Sequence, residues 1–186
     1  TNAFCPSAIC QASRVAMLTG LSCHSTGNYE NSGIIDPQLR SLVQHLADSG
    51  YQTGMVGKAH FVPQWPGHGF QVLRRTDFSD CTEREENEYY QFVKGAGMLE
   101  RSQFQGDPLR CGELAATPCS LPLECTEEHW MARATAELLD SRDPGKPFFY
   151  HVSFSRPHNP WRPAAPFHEM YDPAALTLPL THPDDW

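Results

Sequence analysis

The chain has 186 residues, 40% hydrophobic and 11% aromatic, enough for one domain with a packed core and too apolar for a disordered chain. Its net charge of −8 argues against nucleic acid as the main partner, because phosphate backbones require a basic face. A small anion held by a few converging cations stays compatible with that charge. No stretch approaches the roughly 18 consecutive apolar residues of a membrane span, so none is expected.

The chain opens on Thr1-Asn2-Ala3-Phe4-Cys5, as a processed or truncated product would. No signal peptide is visible, which with such a start says little about location. Sixteen prolines and thirteen glycines predict long irregular connections between few regular elements. Seven cysteines, an odd number, leave at least one outside any intramolecular disulfide. Cys111, Cys119 and Cys125 cluster in one loop, with bonded and free states equally weighted. Such clustering favours a periplasmic, secreted or lysosomal setting over a cytoplasmic one without fixing the location.

In chain order, the first predicted element is a short helix over Ala12–Leu18, ended by Gly20. A second helix is predicted over Pro37–Asp48, with Asp36 as cap and Pro37 at its first position. Leu39, Leu42, Val43 and Leu46 would form its apolar face. A strand follows over Gln52–Val56. Residues 61–125 read mostly as loop, with one short helix near Glu86–Lys94. A third helix spans Glu127–Asp140, capped by Thr126, with Glu127 and Glu128 favourable at its positive end. A second strand, Phe148–Phe154, reads as covered on both faces, and a proline-rich tail follows from Arg156. This order predicts an α/β fold, a mixed but mostly parallel sheet sandwiched by helices. Ligands in such sheets sit at the carboxyl ends of the strands, where Lys58, His60 and His158 fall.

Chemistry concentrates first in Cys10-Gln11-Ala12-Ser13-Arg14-Val15-Ala16-Met17-Leu18-Thr19-Gly20. A cysteine at a helix N-terminus sits where free N–H groups favour an anion, and Arg14 lies one turn further on. A nucleophile beside such a hole suits a sulfate or phosphate ester. On spacing alone the plainer reading is better: Cys10 as a small buried side chain and Arg14 as an ordinary ion-pair residue. The other segments are Gly57-Lys58-Ala59-His60, His68-Gly69-Phe70 and Pro147-Phe148-Phe149-Tyr150, which runs on to Pro157-His158-Asn159-Pro160. Alone, each of these also reads as ordinary loop or turn.

Taken in order, these segments resemble the type I, formylglycine-dependent sulfatases of the alkaline-phosphatase-like superfamily, N-terminal portion only. Cys10, Ser13, Arg14, Thr19 and Gly20 match the family's Cys-x-Pro-Ser-Arg signature, with Ala12 in place of Pro. That Cys-x-Ala-x-Arg form resembles the variant accepted by radical-type bacterial maturases. Gly57-Lys58-Ala59-His60 resembles the family's Gly-Lys-x-His, and His158 its Pro-His-x-Pro histidine.

The resemblance implies hydrolysis of a small or carbohydrate sulfate ester through formylglycine made from Cys10 by a maturation enzyme, with calcium assistance. It implies that Arg14 orients the aldehyde hydrate, Lys58 binds sulfate, His60 assists sulfate release, and His158 contacts sulfate or the leaving oxygen. Cys10, as formylglycine, would be the one metal contact in this chain. Calcium takes roughly six to eight oxygen ligands. The family's Asp-Asp strand and later metal-binding region have no match here, so the resemblance implies that residues 1–186 are a partial sulfatase catalytic domain, with the remainder of a sulfatase chain supplying those regions and the isolated segment inactive. Alternatives within and beyond the family are a phosphonate monoester or phosphodiester hydrolase, and a non-catalytic chain with unmodified Cys10. Of the other candidates, His24 and residues 27–31 read as loop, His151 as a packed histidine and His129 as exposed; Trp65, Trp161 and Arg162 could shape a substrate rim.

Overall fold

The computed structural model describes residues 2–32, 35–61, 68–76, 87–102 and 117–177. Its elements are α1 (Cys10–Thr19), α2 (Cys23–Thr26), α3 (Leu42–Asp48), β1 (Gln52–Gly57), β2 (Val72–Arg75), α4 (Glu88–Gly95), α5 (Glu127–Asp140) and β3 (Phe148–Ser153). The strands form one sheet in the order β2-β1-β3. Both pairings are parallel, so the sheet expected to be mixed is parallel throughout its described strands.

Central strand β1 is covered on both faces because its alternating side chains enter two cores. Val56 joins Tyr89 and Val93 of α4 and Trp130, Met131, Ala134 and Leu138 of α5. Met55 joins Val15 and Leu18 of α1, Ile35, Val43 of α3, Ala59 and Phe61. Val56 is 0% exposed and Met55 1%, so each contributes about 1.5–3 kcal/mol of transfer free energy. Strand β3, expected to be covered on both faces, is mostly half-buried, with Phe148 exposed.

Helix α5 matches its predicted limits: Thr126 accepts from the His129 N–H, and Glu127 and Glu128 occupy the first turn. Helix α1 starts two residues before its predicted limit, and Gly20 ends it in the left-handed region at φ +71°, its N–H donating to Ala16 O. Helix α3 is shorter than predicted. Asp36 caps a turn instead, accepting from the Gln38 N–H at 2.8 Å. A capping box decides the helix start: Ser41 accepts from Gln44 N–H, and the Gln44 side chain accepts from Ser41 N–H. Leu42 is consequently exposed and Val43 carries the buried face.

Strand β2 lies where the sequence reads as loop. Its Val72 and Leu73 are exposed, and besides its pairing with β1 it is fastened by Arg74. That guanidinium reaches Glu88 of α4 and Glu137 of α5, each at 2.7 Å, and lies 5.3 Å from the Trp130 ring. Cys5, Cys10, Cys23, Cys119 and Cys125 are free thiols, so Cys119 and Cys125 form no disulfide. Cys81, Cys111, Trp65 and the acidic pair Asp184-Asp185 lie outside the described residues. Among the described residues, no helix is long and apolar enough to cross a membrane.

The His68-Gly69 turn fits against α3. Ser41 Oγ donates to His68 O, and a Cβ on Gly69 would collide with the Val43–Gln44 backbone. His68 is buried beside Phe61, with ring centroids 4.3 Å apart. Burial lowers its pKa from 6.5 to about 4. The unfolded chain therefore takes up a proton in that window that the folded chain refuses. Stability is complete above about pH 6.5 and falls toward pH 4, by roughly 3 kcal/mol at most. Urea denaturation near neutral pH and near pH 4 should show this decline in the natural chain and a shallower one in His68→Gln. Equal pH dependence in the two would contradict the assignment.

Candidate active site

The exits of β1 and β3 lie side by side because Gly57 pairs with Ser153. Gly57 sits at φ +105°, and a Cβ there would collide with Ser153 O and Met131 Cε. Only glycine allows this approach. The Lys58 N–H then donates to Ser153 O at 2.9 Å, so the loop after β1 begins fastened to β3.

Arg14 closes the arrangement from α1. Its Nη1 donates to Lys58 O at 2.7 Å and to Ser153 Oγ at 2.9 Å. The guanidinium thus joins the signature helix to both strand ends. Beyond Lys58, Ala59 and Phe61 pack into the same core as Val15 and Leu18 of α1. His60 lies between them, buried and in the left-handed region at φ 55°. Non-glycine residues adopt that region rarely, and such backbone clusters at functional sites. The half-buried Lys58 ammonium makes no ion pair or hydrogen bond among the described residues. Arg14 also acts on His151, whose pKa is lowered by burial first and by the Arg14 charge second.

Cys10 is half-buried at the first position of α1, after an Ile9 that provides no side-chain cap. The N–H of Gln11, read from sequence as open to an anion, donates instead to Asn31 Oδ1 at 3.1 Å. Residues 27–31 therefore include a brace for the signature helix, in keeping with their loop reading. His158 is exposed on the segment leaving β3, with Nδ1 2.6 Å from Asn159 O. Among the described residues it makes no hydrogen bond to Cys10, Arg14 or Lys58.

His24 is exposed and contacts Ser22 within its own turn, at 3.1 Å. His129 is exposed on α5. His151 is half-buried, its ring centroid 6.4 Å from that of Phe70. Trp161 and Arg162 line an open groove of about 720 Å³ with Phe154, Phe167 and Leu123. Ser153, Glu127 and Arg156 were not singled out from sequence; their parts appear only once distant strands and helices are assembled.

A family profile described as Sulfatase matches residues 1–175. The chain belongs to the sulfatase family. The chain is 28% identical to an arylsulfatase of Clostridium perfringens, with all of this chain and 40% of that protein covered. It is 25% identical to the multifunctional alkaline phosphatase superfamily protein PehA of Trinickia caryophylli, covering 92% of this chain and 36% of the other. A phosphonate monoester hydrolase from Silicibacter pomeroyi superposes with a TM-score of 0.72 at 18% identity, over 96% of this chain and 38% of its own. The fold is thus alkaline-phosphatase-like, and this sulfatase chain spans about 40% or less of those proteins' lengths.

The described residues do not suit calcium. No group of three or more His, Cys, Asp or Glu is placed to hold a metal among them. What gathers at the strand ends is a thiol helix, a guanidinium and an ammonium, whereas calcium requires carboxylate and carbonyl oxygens.

Proposed function

We propose that this chain is the nucleophile-bearing part of a catalytic domain that hydrolyses sulfate esters, with Cys10 oxidised to formylglycine by a maturation enzyme. The observation that supports it most directly is the Arg14 bridge, which sets the Cys10 helix against the Lys58 and Ser153 strand ends. As its hydrate, formylglycine supplies one hydroxyl to attack sulfur and a second whose deprotonation expels sulfate, dividing one hard displacement into two.

The remaining roles fall to this chain's own side chains. Arg14 fixes α1 and its positive charge lies near the developing negative charge. Lys58 offers an ammonium without a competing carboxylate among the described residues, suited to sulfate oxygens. His60, on the buried loop after β1, exchanges the proton of the second hydroxyl. His158 acts from the β3 exit on sulfate or the leaving oxygen. The metal-binding carboxylates of the family belong to other parts of a complete domain, and no step here is derived through them. The substrate class is a small or carbohydrate sulfate ester.

Mass spectrometry of the peptide spanning Cys10, from the native source, tests the modification. Conversion removes sulfur and two hydrogens and adds one oxygen. An intact thiol throughout would instead favour a non-catalytic chain. Comparative turnover of aryl sulfate and aryl phosphonate by the natural full-length protein separates the sulfatase reading from that of a phosphonate hydrolase. In the same protein, Lys58→Ala should lower kcat/KM on the order of 10^2-fold to 10^3-fold while leaving the melting temperature close to that of the natural protein. Unchanged steady-state kinetics would remove Lys58 from the site.

A further inference from the structure

We propose that Glu127 and Glu128, in the first turn of α5, are positioning residues that hold the segment 155–160 and thereby set the place of His158. The proposal deepens the sulfate-ester reading and rests on it for the role of His158.

The two carboxylates grip consecutive residues of the β3 exit. Glu127 Oε1 accepts from Ser155 Oγ at 2.9 Å. The same oxygen accepts from Thr76 Oγ1 at 2.6 Å, and the Thr76 N–H donates to Gly57 O at 3.2 Å. One buried oxygen therefore ties the exits of β2 and β3, while Thr76 adds the end of β1. Glu128 Oε1 lies 3.6 Å from Nε of Arg156, the next residue along. Arg156 Nη1 donates onward to His158 O at 3.0 Å and to Pro160 O. The His158 N–H donates back to Ser155 O at 3.0 Å, closing the circuit. His158 is exposed, so its backbone is held while its ring is left accessible.

Stability alone does not account for this arrangement. Glu127 is 6% exposed, and burial raises its pKa, so ionising it there carries a desolvation penalty. Burying an ionisable group costs free energy that an apolar side chain in the same place would not incur. A carboxyl group kept there at a cost, with two hydroxyl donors on one oxygen, fits a part that fixes geometry.

The test uses the natural full-length protein with isotope-labelled histidine. Glu127→Ala should lower kcat roughly tenfold to hundredfold with little change in KM, and should shift or broaden the His158 ring resonances. Glu127→Gln keeps the acceptor oxygen and should restore most of both. In a His158→Ala background, Glu127→Ala should add almost no further loss. Should Glu127→Ala fail to fold, Ser155→Ala removes only the bond to the exit segment and carries the same expectations. Unmoved His158 resonances, or losses that simply multiply in the double variant, would overturn the proposal. Absence of sulfate-ester turnover in the natural protein would defeat the sulfatase reading, while the His158 resonances would still decide whether the carboxylates position it.

Discussion

Replacing Cys10 with alanine in the natural full-length protein should abolish sulfate-ester hydrolysis, on the order of 10^4-fold or more, with little change in folding. The size follows from covalent catalysis: when the nucleophile is removed, its partners in the catalytic unit lose most of their effect. The small structural effect follows from Cys10's place. It is half-buried at the first position of α1, outside both core clusters, and the helix is anchored elsewhere by Val15, Leu18 and Arg14. Initial rates on an aryl sulfate, beside a thermal melt, measure the two quantities separately. Substantial turnover by the alanine variant would end the assignment of Cys10 as nucleophile.

The second large effect is on stability. Gly57→Ala should destabilise the fold by about 3 kcal/mol or more, because two mechanisms act together. The backbone at φ +105° is strained for any residue with a Cβ, and the added methyl would collide with Ser153 O and Met131 Cε. The Ser153 carbonyl is fixed, since it accepts the Lys58 N–H. Relief would therefore require β1 to move away from β3 at the point where Arg14 spans them. Chemical denaturation gives the energy directly. A midpoint equal to that of the natural chain would show that the strand ends yield more readily than this packing implies. By contrast, a methyl on Gly20 would meet no neighbouring atoms, so there only the left-handed backbone would oppose the substitution.

Where local chemistry and long-range packing agree, the fold is legible in the residues. Helix α5 has a threonine cap, acidic first turn and long apolar face, and its limits match. Helix α3 shows two local signals in competition. Asp36-Pro37 reads as a helix start, but the reciprocal Ser41–Gln44 pair satisfies two backbone donors and prevails. Strand β2 has no readable period, because pairing with β1 and the Arg74 ion pairs secure it while Val72 and Leu73 are exposed.

The candidate site divides in the same way. Cys10, Arg14, Lys58, His60 and His158 were found through motif resemblance, since spacing alone favours ordinary roles for them. Ser153 was hidden inside an apolar strand, and its hydroxyl matters only because Arg14, far away in the chain, reaches it. Glu127 looks like any helix-start acid until Thr76 and Ser155 converge on it. Such groups carry no local signature, and tertiary assembly creates their contacts.

Arg14 grips residue 58 by its carbonyl oxygen, a group every amino acid possesses. That bond therefore makes no demand on which side chain stands there. Over evolutionary time the side chain at that point could be exchanged by single substitutions without losing this bond. Position 14 has no such latitude, because its fork-shaped side chain is itself the fastening. Within one short circuit of hydrogen bonds, the molecule thus separates a residue open to retuning from one bound to architecture.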